Sequence, residues 1–536
     1  MPRPELRALA AGAGVHLGAL TAVLADRYED RVAYVDPEPV PGLDEGGART
    51  FRDVESAVAR LATVHAGNGV TSGQRVLVLT DNRLDVGLHV FALARLGAVP
   101  VPVNHRLTRG EIAGVAEATD AEAAVVDPEV VDRLPDGLAC WQAAELGAAA
   151  LDATPTPAPD GLDADATAVL LTTSGTTGVP KAASLTSRGL LSSLGRLVVA
   201  PVGGDLGRLR RDRDRLLACL PMTHVMGFAV LLGGLCAGIP QVRRSRFDAD
   251  EVLDLIERER PNILVAVPTM FADLERAGAA DRDLSSIQIF LSSADVLPTD
   301  RARRLQRYGA AARIGGRGVG SAIVVDIYGM VELSGAAAVR LYPPSLVGSL
   351  PAPSFAVSLP GIEVRAVDED GEPVGRGVTG ELQWRGAGVL QEYEGHEDAG
   401  PDEAGWFASG DHGRVLVGGL FQFSGRSKDR LKVGGFSVFP AEVEEELRDA
   451  EGVAELAIVG VPDDRLGDRL VAAVVPSGDG FDADGFLAWA RDEVAGYRRP
   501  TEVVVVDHLP RGNNGKLDRG GATDLVAAEL DGGASR

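Results

Sequence analysis

A loop of small hydroxyl residues and glycines has the chemistry needed to bind phosphate groups. Residues 172–181 read TTSGTTGVPK and follow an apolar run that predicts a strand over residues 167–172. Glycines allow backbone N–H groups to approach phosphate oxygens, hydroxyls donate further hydrogen bonds, and the terminal lysine adds positive charge. The GxxxxGK[ST] spacing of the Walker A loop is missing. The segment therefore predicts a phosphate-binding loop of another type.

Lysine is used at only four positions, although lysine and arginine together total 53 residues. The four are Lys181, Lys428, Lys432 and Lys516. Lysine is a compact charge on a flexible stem, whereas arginine is a planar, bulky fork. We therefore expect these four lysines to lie at positions that need a compact, flexible positive charge, which the bulkier arginine side chain could not supply.

The composition is that of a globular protein and disfavours several classes of partner. The 536 residues suffice for two or more domains, and 45% are hydrophobic while 24% are charged. The net charge of −24 argues against binding to nucleic acid or to anionic membranes, because both need a basic surface. The apolar run at residues 225–240 is shorter than the ~20 residues of a membrane span. It predicts a buried helix, so no membrane span is expected.

The cysteines indicate a reducing environment. Cys140, Cys219 and Cys236 lie far apart and form no CxxC pair. This spacing predicts a cytoplasmic protein with neither a disulfide framework nor a zinc site.

The element pattern predicts an α/β fold with largely parallel sheets. Strand-like runs at residues 75–79 and 123–127 alternate with helical stretches such as residues 86–96. Further buried strands are predicted at residues 263–267 and 322–326.

The pattern of predicted helices and strands changes after about residue 425. A helix is expected to begin at Pro440, and strands at residues 454–459, 470–475 and 502–506 accompany a helix at residues 483–493. This composition is sufficient for a separate α+β domain of roughly 100 residues. The predicted organisation is therefore a large N-terminal domain of several subdomains and a small mobile C-terminal one. Its boundaries are 1–425 for the large domain, 426–430 for a hinge, 431–530 for the small domain and 531–536 for a frayed tail.

The phosphate loop resembles the signature of the adenylate-forming superfamily, which includes acyl- and aryl-CoA synthetases, firefly luciferase and nonribosomal-peptide adenylation domains. Five later segments resemble that family's motifs and follow in the same order. They are residues 221–227 (PMTHVMG), 328–332 (YGMVE), 405–411 (GWFASGD), 423–429 (FSGRSKD) and 510–516 (PRGNNGK). The resemblance extends over nearly the whole chain and is closest to the acyl-CoA ligase branch.

The resemblance implies a nucleotide site built from the loop, an adenine segment and the later motifs. The implied ATP- and AMP-binding residues are Thr173, Ser174, Gly175, Thr176, Thr177, Gly178, Lys181, Ser293, Ala294, Asp295, Tyr328, Gly329, Met330, Asp411 and Arg426. Tyr328 offers a flat face for adenine and Asp411 can accept hydrogen bonds from both ribose hydroxyls. Arg426 is placed to reach the ribose or the phosphates.

The resemblance also implies catalytic and metal-binding residues. Glu332 would be a hard oxygen ligand for Mg²⁺, together with Thr176. Lys516 would place positive charge where the transition state at phosphorus gathers negative charge. His224 would line the acid pocket.

The C-terminal domain of such enzymes rotates between two half-reactions. Lys428 would be the hinge residue, and Lys432, Gly434 and Gly435 would lie on the CoA side. A lysine hinge followed by two glycines is more similar to the CoA ligases than to the peptide-synthetase domains.

Two positions depart from the family pattern. The threonine of the family's YGxTE motif is Val331 here, which removes one hydroxyl near the α-phosphate. The GGAP-like adenine segment reads Ser293-Ala294-Asp295 after Ser292, so the adenine contacts are expected to differ.

The implied function is an AMP-forming acid–CoA ligase that uses ATP, Mg²⁺ and coenzyme A and acts as a monomer or homodimer. It would form an acyl-adenylate and then a CoA thioester. The pocket walls are expected at residues 223–232, 270–271 and 329–333, whose apolar and small side chains suit an aryl or modest aliphatic acid.

Two other functions remain open from the sequence. The chain could pass an activated acid, even a small inorganic one such as nitrite, to a carrier protein or an amine. It could also be an inactive nucleotide-binding module, given Val331 and the altered adenine segment.

Overall fold

The computed structural model describes most of the chain. The described residues are 14–36, 38–43, 46–173, 181–199, 214–314, 317–343, 355–395, 399–434, 436–447, 450–463, 465–478, 480–494, 496–512 and 517–533. The helices among them are α1 Leu17–Tyr28, α2 Phe51–Gly67, α3 Leu84–Arg95, α4 Arg109–Ala118, α5 Ala143–Asp152, α6 Ser187–Val199, α7 Val225–Ala237, α8 Ala249–Glu259, α9 Pro268–Arg276, α10 Thr299–Tyr308, α11 Pro440–Glu446, α12 Ala483–Glu493 and α13 Arg519–Gly533.

The strands complete the element list. In the first half of the described chain they are β1 Val32–Asp36, β2 Gly47–Thr50, β3 Arg75–Leu79, β4 Val99–Pro102, β5 Ala123–Val126, β6 Ala139–Gln142, β7 Thr167–Thr173, β8 Lys181–Thr186, β9 Leu216–Ala218, β10 Gln241–Arg243, β11 Ile263–Ala266 and β12 Ile289–Ser293. In the second half they are β13 Ala312–Ile314, β14 Arg317–Val319, β15 Ile323–Met330, β16 Gly335–Tyr342, β17 Ala356–Ser358, β18 Ile362–Val367, β19 Thr379–Gly386, β20 Phe407–Val415, β21 Leu420–Arg426, β22 Leu431–Val433, β23 Phe436–Val438, β24 Val453–Asp463, β25 Gly467–Pro476 and β26 Glu502–Val505.

Helix starts follow from local capping chemistry. Thr50 at the start of α2 and Thr108 at the start of α4 each accept a hydrogen bond from a backbone N–H three residues on. The acidic residues at those positions, Asp53 and Glu111, bond back to the capping backbone. Such a capping box satisfies N–H groups that a helix leaves unpaired at its start.

The largest sheet is parallel in only one half. Among the described residues it contains 13 strands in the order β18-β19-β20-β21-β17-β16-β15-β12-β11-β9-β10-β1-β2. The pairs from β15 to β1 are parallel, whereas those from β15 to β18 and the pair β1–β2 are antiparallel. The expectation of largely parallel sheets was therefore wrong for the half of the large sheet that extends from β15 to β18. Residues 331–334 alone join β15 to β16, and a parallel connection needs a dozen residues or more.

Smaller sheets flank the large one. Strands β4, β3, β5 and β6 form a parallel sheet in that order, and β7 pairs with β8 in an antiparallel ribbon. The apolar run that predicted a buried helix forms α7, which is buried along most of its length. No helix among the described residues combines the length and the apolar character that a membrane crossing needs.

The C-terminal segment builds a sheet and a core of its own. β23, β22, β25 and β24 pair in that order, with β26 on β25, and α11, α12 and α13 pack against them. The helix predicted at residues 483–493 is α12, and α11 begins at Pro440 as expected. α13 continues to Gly533, into the stretch that was expected to fray. The domain boundaries themselves stay a prediction.

Candidate active site

The carboxyl ends of four neighbouring parallel strands bring several predicted site residues to one edge. β9, β11, β12 and β15 are adjacent in the large sheet, and Ser293 at the end of β12 pairs with Ile327 beside Tyr328. His224 follows β9, and Met270 follows β11. Loops that leave parallel strands meet at this edge, which is where α/β proteins bind ligands.

Tyr328, Asp411 and Arg426 lie in contact. Asp411 and Arg426 are direct partners in the β20–β21 pair, and Nε of Arg426 lies 3.2 Å from Oδ1 of Asp411. The hydroxyl of Tyr328 donates to Oδ2 of Asp411 at 2.6 Å. Each carboxylate oxygen has two lone pairs and can accept more than one hydrogen bond, and Asp411 itself is 2% exposed. Burial and the charge of Asp411 raise the pKa of Tyr328 well above its usual value, which keeps the hydroxyl a donor.

An aromatic cluster fixes the ring of Tyr328. Trp384 is fully buried and stacks on this ring at a centroid distance of 5.2 Å and an interplanar angle of 25°. Phe421 contacts it edge-on at 5.4 Å. Because Trp384 covers one face, the adenine stacking predicted for Tyr328 would have to use the other face.

Glu332 is held by a residue that the motif comparison did not identify. It lies in the 3-10 turn Val331–Leu333 directly after β15. The hydroxyl of Tyr393 donates to Oε1 of Glu332 at 2.5 Å. The ammonium of Lys181 lies 5.3 Å from the centroid of the Tyr393 ring. The two residues predicted to act on the metal and the phosphates are thus connected through one tyrosine.

The two ends of the phosphate loop are adjacent. Thr173 ends β7, Lys181 begins β8, and the two are direct partners in the antiparallel ribbon. The Thr173 hydroxyl donates to the backbone oxygen of Lys181 at 3.4 Å. Strand pairing therefore sets the two ends of the predicted phosphate loop next to each other.

Five partly buried apolar residues lie at or after the ends of β9, β11 and β15 and are called the apolar wall here. Its partly buried members are Val225, Met226, Met270, Met330 and Val331. A Cβ built on Gly335 would lie 3.9 Å from Cγ2 of Val225, and Gly335 is the strand partner of Met330. The first turn of α7 therefore packs next to the end of β15. Exposed His224, with backbone in the extended region, immediately precedes that turn.

The adenine segment has an unusual backbone. Ser293 is buried, whereas Ala294 and Asp295 are exposed. Ala294 has φ of +77°, a left-handed conformation that residues with a Cβ rarely adopt.

Gly329 has a different constraint, since a Cβ there would lie 2.0 Å from the backbone oxygen of Gly335. No larger residue fits at Gly329 without moving the β15–β16 hairpin.

Three of the predicted hinge and CoA-side residues, Lys428, Lys432 and Gly434, lie close together in sequence and are exposed. Lys428 is exposed in the 3-10 turn Ser427–Asp429. The backbone N–H of Lys432 donates to Oδ2 of Asp468 at 2.9 Å. Gly434 has φ of +57°, and its N–H donates to the backbone oxygen of Leu466 at 2.7 Å.

The residues that flank the C-terminal lysine loop approach the N-terminal part of the chain. Arg511 and Leu517 form an antiparallel bridge, and Arg511 donates to Glu455 at 2.7 Å. Glu455 also lies 3.7 Å from Arg276 at the end of α9. The base of this loop is therefore tied to both parts of the molecule.

Seven of the predicted residues lie outside the described residues. They are Ser174, Gly175, Thr176, Thr177, Gly178, Gly435 and Lys516. Their roles, and those of the other site residues, stay predictions.

Magnesium fits the donor chemistry of this edge. The described residues contain no group of three or more acidic, histidine or cysteine side chains that could form an all-protein metal cage. Mg²⁺ bound with a nucleotide needs only one or two carboxylates, since phosphates and water supply the other oxygens. Glu332 is partly buried, and its carboxylate is oriented by Tyr393 through one oxygen.

Comparison with known proteins identifies the family. The sequence profile of the AMP-binding enzyme family matches residues 22–394, and that of the AMP-binding enzyme C-terminal domain matches residues 442–516. The chain belongs to the AMP-binding enzyme family. These two matches include most of the residues that surround the edge described above.

Curated relatives and solved structures of this family cover nearly the whole chain. This AMP-binding enzyme is 33% identical to feruloyl-CoA synthase of Amycolatopsis sp over 499 residues, which cover 91% of this chain and 96% of that protein. It is 33% identical to indoleacetate–CoA ligase of Aromatoleum aromaticum over 501 residues, which cover 89% of this chain and 93% of that protein. The solved structure of ATP-bound MatB from Rhodopseudomonas palustris has a similar fold, with a TM-score of 0.81 and 26% sequence identity. The match covers 95% of this chain and 100% of that one.

These comparisons confirm the predicted superfamily, the α/β fold class with its C-terminal unit, and the AMP-forming acid–CoA ligase type of enzyme. The family also confirms the predicted use of ATP, Mg²⁺ and coenzyme A. The acid that is activated and the oligomeric state stay predictions.

Two residues with contacts at the site were missed from the sequence. Tyr393 lies in an acidic stretch, residues 391–394 (QEYE), that contains no other aromatic residue. Trp384 sits inside β19, where it reads as an ordinary core residue. The isolated aromatic character of Tyr393 was the only signal that could have identified it.

Proposed function

We propose that this AMP-binding enzyme is an aryl-acid–CoA ligase, which activates an aromatic or arylalkyl carboxylic acid. The observation that carries this proposal is the apolar wall beside the carboxyl edge of the sheet. Three of its five members, Met226, Met270 and Met330, are methionines, and the whole chain contains only five. Thioether sulfur contacts aromatic rings favourably, and the unbranched side chain adapts to a flat ring.

Several of the relatives are named for aromatic acids. Feruloyl-CoA synthase and indoleacetate–CoA ligase are both named for acids with an aromatic ring, and each is 33% identical to this chain. A 4-coumarate–CoA ligase of Oryza sativa is 31% identical over 528 residues. These names support an aryl acid over an aliphatic one.

The first half-reaction joins the acid to the nucleotide. One carboxylate oxygen of the acid attacks the α-phosphorus of ATP, an O–P bond forms, and pyrophosphate leaves with the electrons of the broken bond. Asp411 would accept the ribose hydroxyls while Tyr328 and Arg426 hold its carboxylate in place. Lys516 would stabilise the charge that develops at phosphorus. Mg²⁺, when bound at Glu332, would neutralise the triphosphate.

The second half-reaction transfers the acyl group to CoA. The sulfur of CoA attacks the acyl carbon, the bond to AMP breaks, and the thiol proton is released to solvent. We propose that the segment after Lys428 turns about residues 426–430 between the two steps. Lys432, Gly434 and Gly435 would then lie on the CoA side. The exposure of Lys428 in a short turn between two sheets supports a hinge at this point.

Product analysis with a panel of acids tests the proposal. The purified protein is incubated with MgATP, CoA and either cinnamic-type, indoleacetic, hexanoic or acetic acid, and thioester and AMP are separated by chromatography. We expect thioester and equimolar AMP with the aromatic acids, at kcat/KM values at least tenfold above those with the aliphatic acids. Preference for an aliphatic acid would overturn the substrate class. AMP release without a thioester would overturn CoA as the acceptor.

A further inference from the structure

Tyr393 lies between two residues that are predicted to act on the same nucleotide. Its hydroxyl donates to Oε1 of Glu332 at 2.5 Å, and its ring lies 5.3 Å from the ammonium of Lys181. The tyrosine is 7% exposed, so water has little access to either contact. A hydrogen bond to a carboxylate and a cation over an aromatic face are both stronger when water is excluded.

Strand-like pairing fixes the backbone around Tyr393. Ala183 and Tyr393 form an antiparallel bridge, and the N–H of Glu394 donates to the backbone oxygen of Ala182 at 2.9 Å. The N–H of Ser184 donates to the backbone oxygen of Glu392 at 3.0 Å. The segment thus lies along β8, the strand that begins with Lys181, which sets the distance between the ring and the ammonium.

The backbone of Glu332 is held by the same segment. The N–H of Leu390 donates to the backbone oxygen of Glu332 at 2.7 Å. Glu332 is therefore fixed at two points, through its backbone by Leu390 and through its side chain by Tyr393.

We propose that Tyr393 is a positioning residue, which orients the carboxylate of Glu332 for Mg²⁺ and holds the ammonium of Lys181 at the base of the phosphate loop. This rests on the proposed function, since it assigns the two partners to one MgATP. The hydroxyl serves the metal side and the ring serves the phosphate side. The two contacts can therefore be separated by substitution.

Two variants separate the hydroxyl from the ring. Tyr393→Phe keeps the ring under Lys181 and removes the donor to Glu332. Tyr393→Leu removes both. Tyr28→Phe is the matched control, because it removes one buried phenol hydrogen bond, to the backbone oxygen of Cys236 at 2.8 Å, on α1.

Calorimetric titration of ATP with and without Mg²⁺ is the measurement, supported by thermal unfolding to show that each variant is folded. In the wild-type protein Mg²⁺ is expected to tighten ATP binding. Tyr393→Phe should lower that gain by about 10-fold and leave metal-free binding unchanged, because a hydrogen bond to a charged group is lost. Tyr393→Leu should in addition weaken metal-free ATP binding by about 2- to 5-fold.

The controls separate this inference from the proposed function. Tyr28→Phe should titrate like the wild-type protein with and without Mg²⁺. An unchanged Mg²⁺ gain in Tyr393→Phe would overturn the positioning role, and so would an equal loss in Tyr393→Phe and Tyr28→Phe. If the wild-type protein binds MgATP but activates no acid, the proposed function fails while the positioning of Glu332 is still measured.

Discussion

At the scale of single residues, the site combines positions that follow the family pattern with positions that depart from it. Tyr328, Asp411 and Arg426 were predicted from separate motifs and lie in contact because their strands are close in one sheet. Tyr393 was not predicted, because its contact with Glu332 depends on pairing of residues 391–394 with β8, some 200 positions away in sequence. Motif spacing carries no information about such a pairing.

Val331 lacks the hydroxyl that the family places next to the α-phosphate. It is partly buried at the start of the turn that contains Glu332. Val331→Thr keeps the size and the branching and adds one hydroxyl. We expect it to change the rate of acyl-adenylate formation by about 2- to 10-fold, the value of one neutral hydrogen bond. An unchanged rate of pyrophosphate exchange would show that this hydroxyl has no function here.

Ala294 is strained by its positive φ of +77°. A left-handed backbone costs a residue with a Cβ about 1–2 kcal/mol, and glycine adopts it without that penalty. We expect Ala294→Gly to stabilise the protein by about 0.5–1 kcal/mol after the larger entropy of the unfolded glycine chain is included. The control is Ala149→Gly at an exposed position within α5, which should destabilise by about 1 kcal/mol. Denaturant unfolding measures both, and destabilisation by Ala294→Gly would refute the strain.

At the scale of elements, connection length explains which parts of the sheet topology were predictable. Strands that alternate with helices up to β12 pair in parallel as predicted, whereas β1–β2 and β7–β8 are antiparallel. Beyond β15, residues 331–334 alone join β15 to β16 and residues 416–419 alone join β20 to β21, so each of these pairs must be antiparallel. The sequence pattern of a buried strand is the same in both arrangements. The four-residue connection at residues 331–334 was the available sign of the change.

The contact between α2 and α3 gives the protein a pH-dependent stability. His65 and His89 are fully buried, and their ring nitrogens lie 3.0 Å apart. Burial lowers the pKa of His89 to about 4 and that of His65 well below its usual value. The unfolded chain therefore binds more protons than the folded one between about pH 6.5 and pH 4, and folding stability is lost as the pH falls through this range.

The double variant His65→Leu/His89→Leu isolates this effect. Asp36 and Asp326, whose pKa burial raises to about 6, act in the opposite direction but are present in both proteins. We expect the free energy of unfolding of the wild-type protein to fall relative to the variant from pH 6.5 to pH 4. The lowered pKa of His89 alone should make the unfolding free energy of the wild-type protein fall by about 3 kcal/mol more than that of the variant. Chemical unfolding at a series of pH values measures it, and parallel curves would contradict the buried neutral pair.

At the scale of the whole molecule, the large sheet and the C-terminal sheet have separate cores, and charged residues connect the two parts. Arg276 of the N-terminal part approaches Glu455, and Glu455 accepts a hydrogen bond from Arg511 beside the C-terminal lysine loop. Motif order predicts a division of labour between the two parts, and this stays a prediction. Sequence alone could not predict the pairs that bridge the two parts, because surface arginines and glutamates are numerous in this chain.

Lys516 should matter for one half-reaction and not for the other. Lys516→Ala removes the charge that would stabilise the transition state at phosphorus. We expect acyl-adenylate formation to fall by about 100-fold or more, as when one such electrostatic group is removed. Thioester formation from added acyl-adenylate should continue near the wild-type rate. Single-turnover assays of each half-reaction measure this, and an equal loss in both would refute the assignment.

The most direct test of acid activation by this AMP-binding enzyme is the exchange of labelled pyrophosphate into ATP in the absence of CoA. We predict Mg²⁺-dependent exchange that requires an added acid and is fastest with a cinnamic-type or indoleacetic acid. Exchange that proceeds equally without acid, or none with any aromatic or aliphatic acid while MgATP binds, would contradict it.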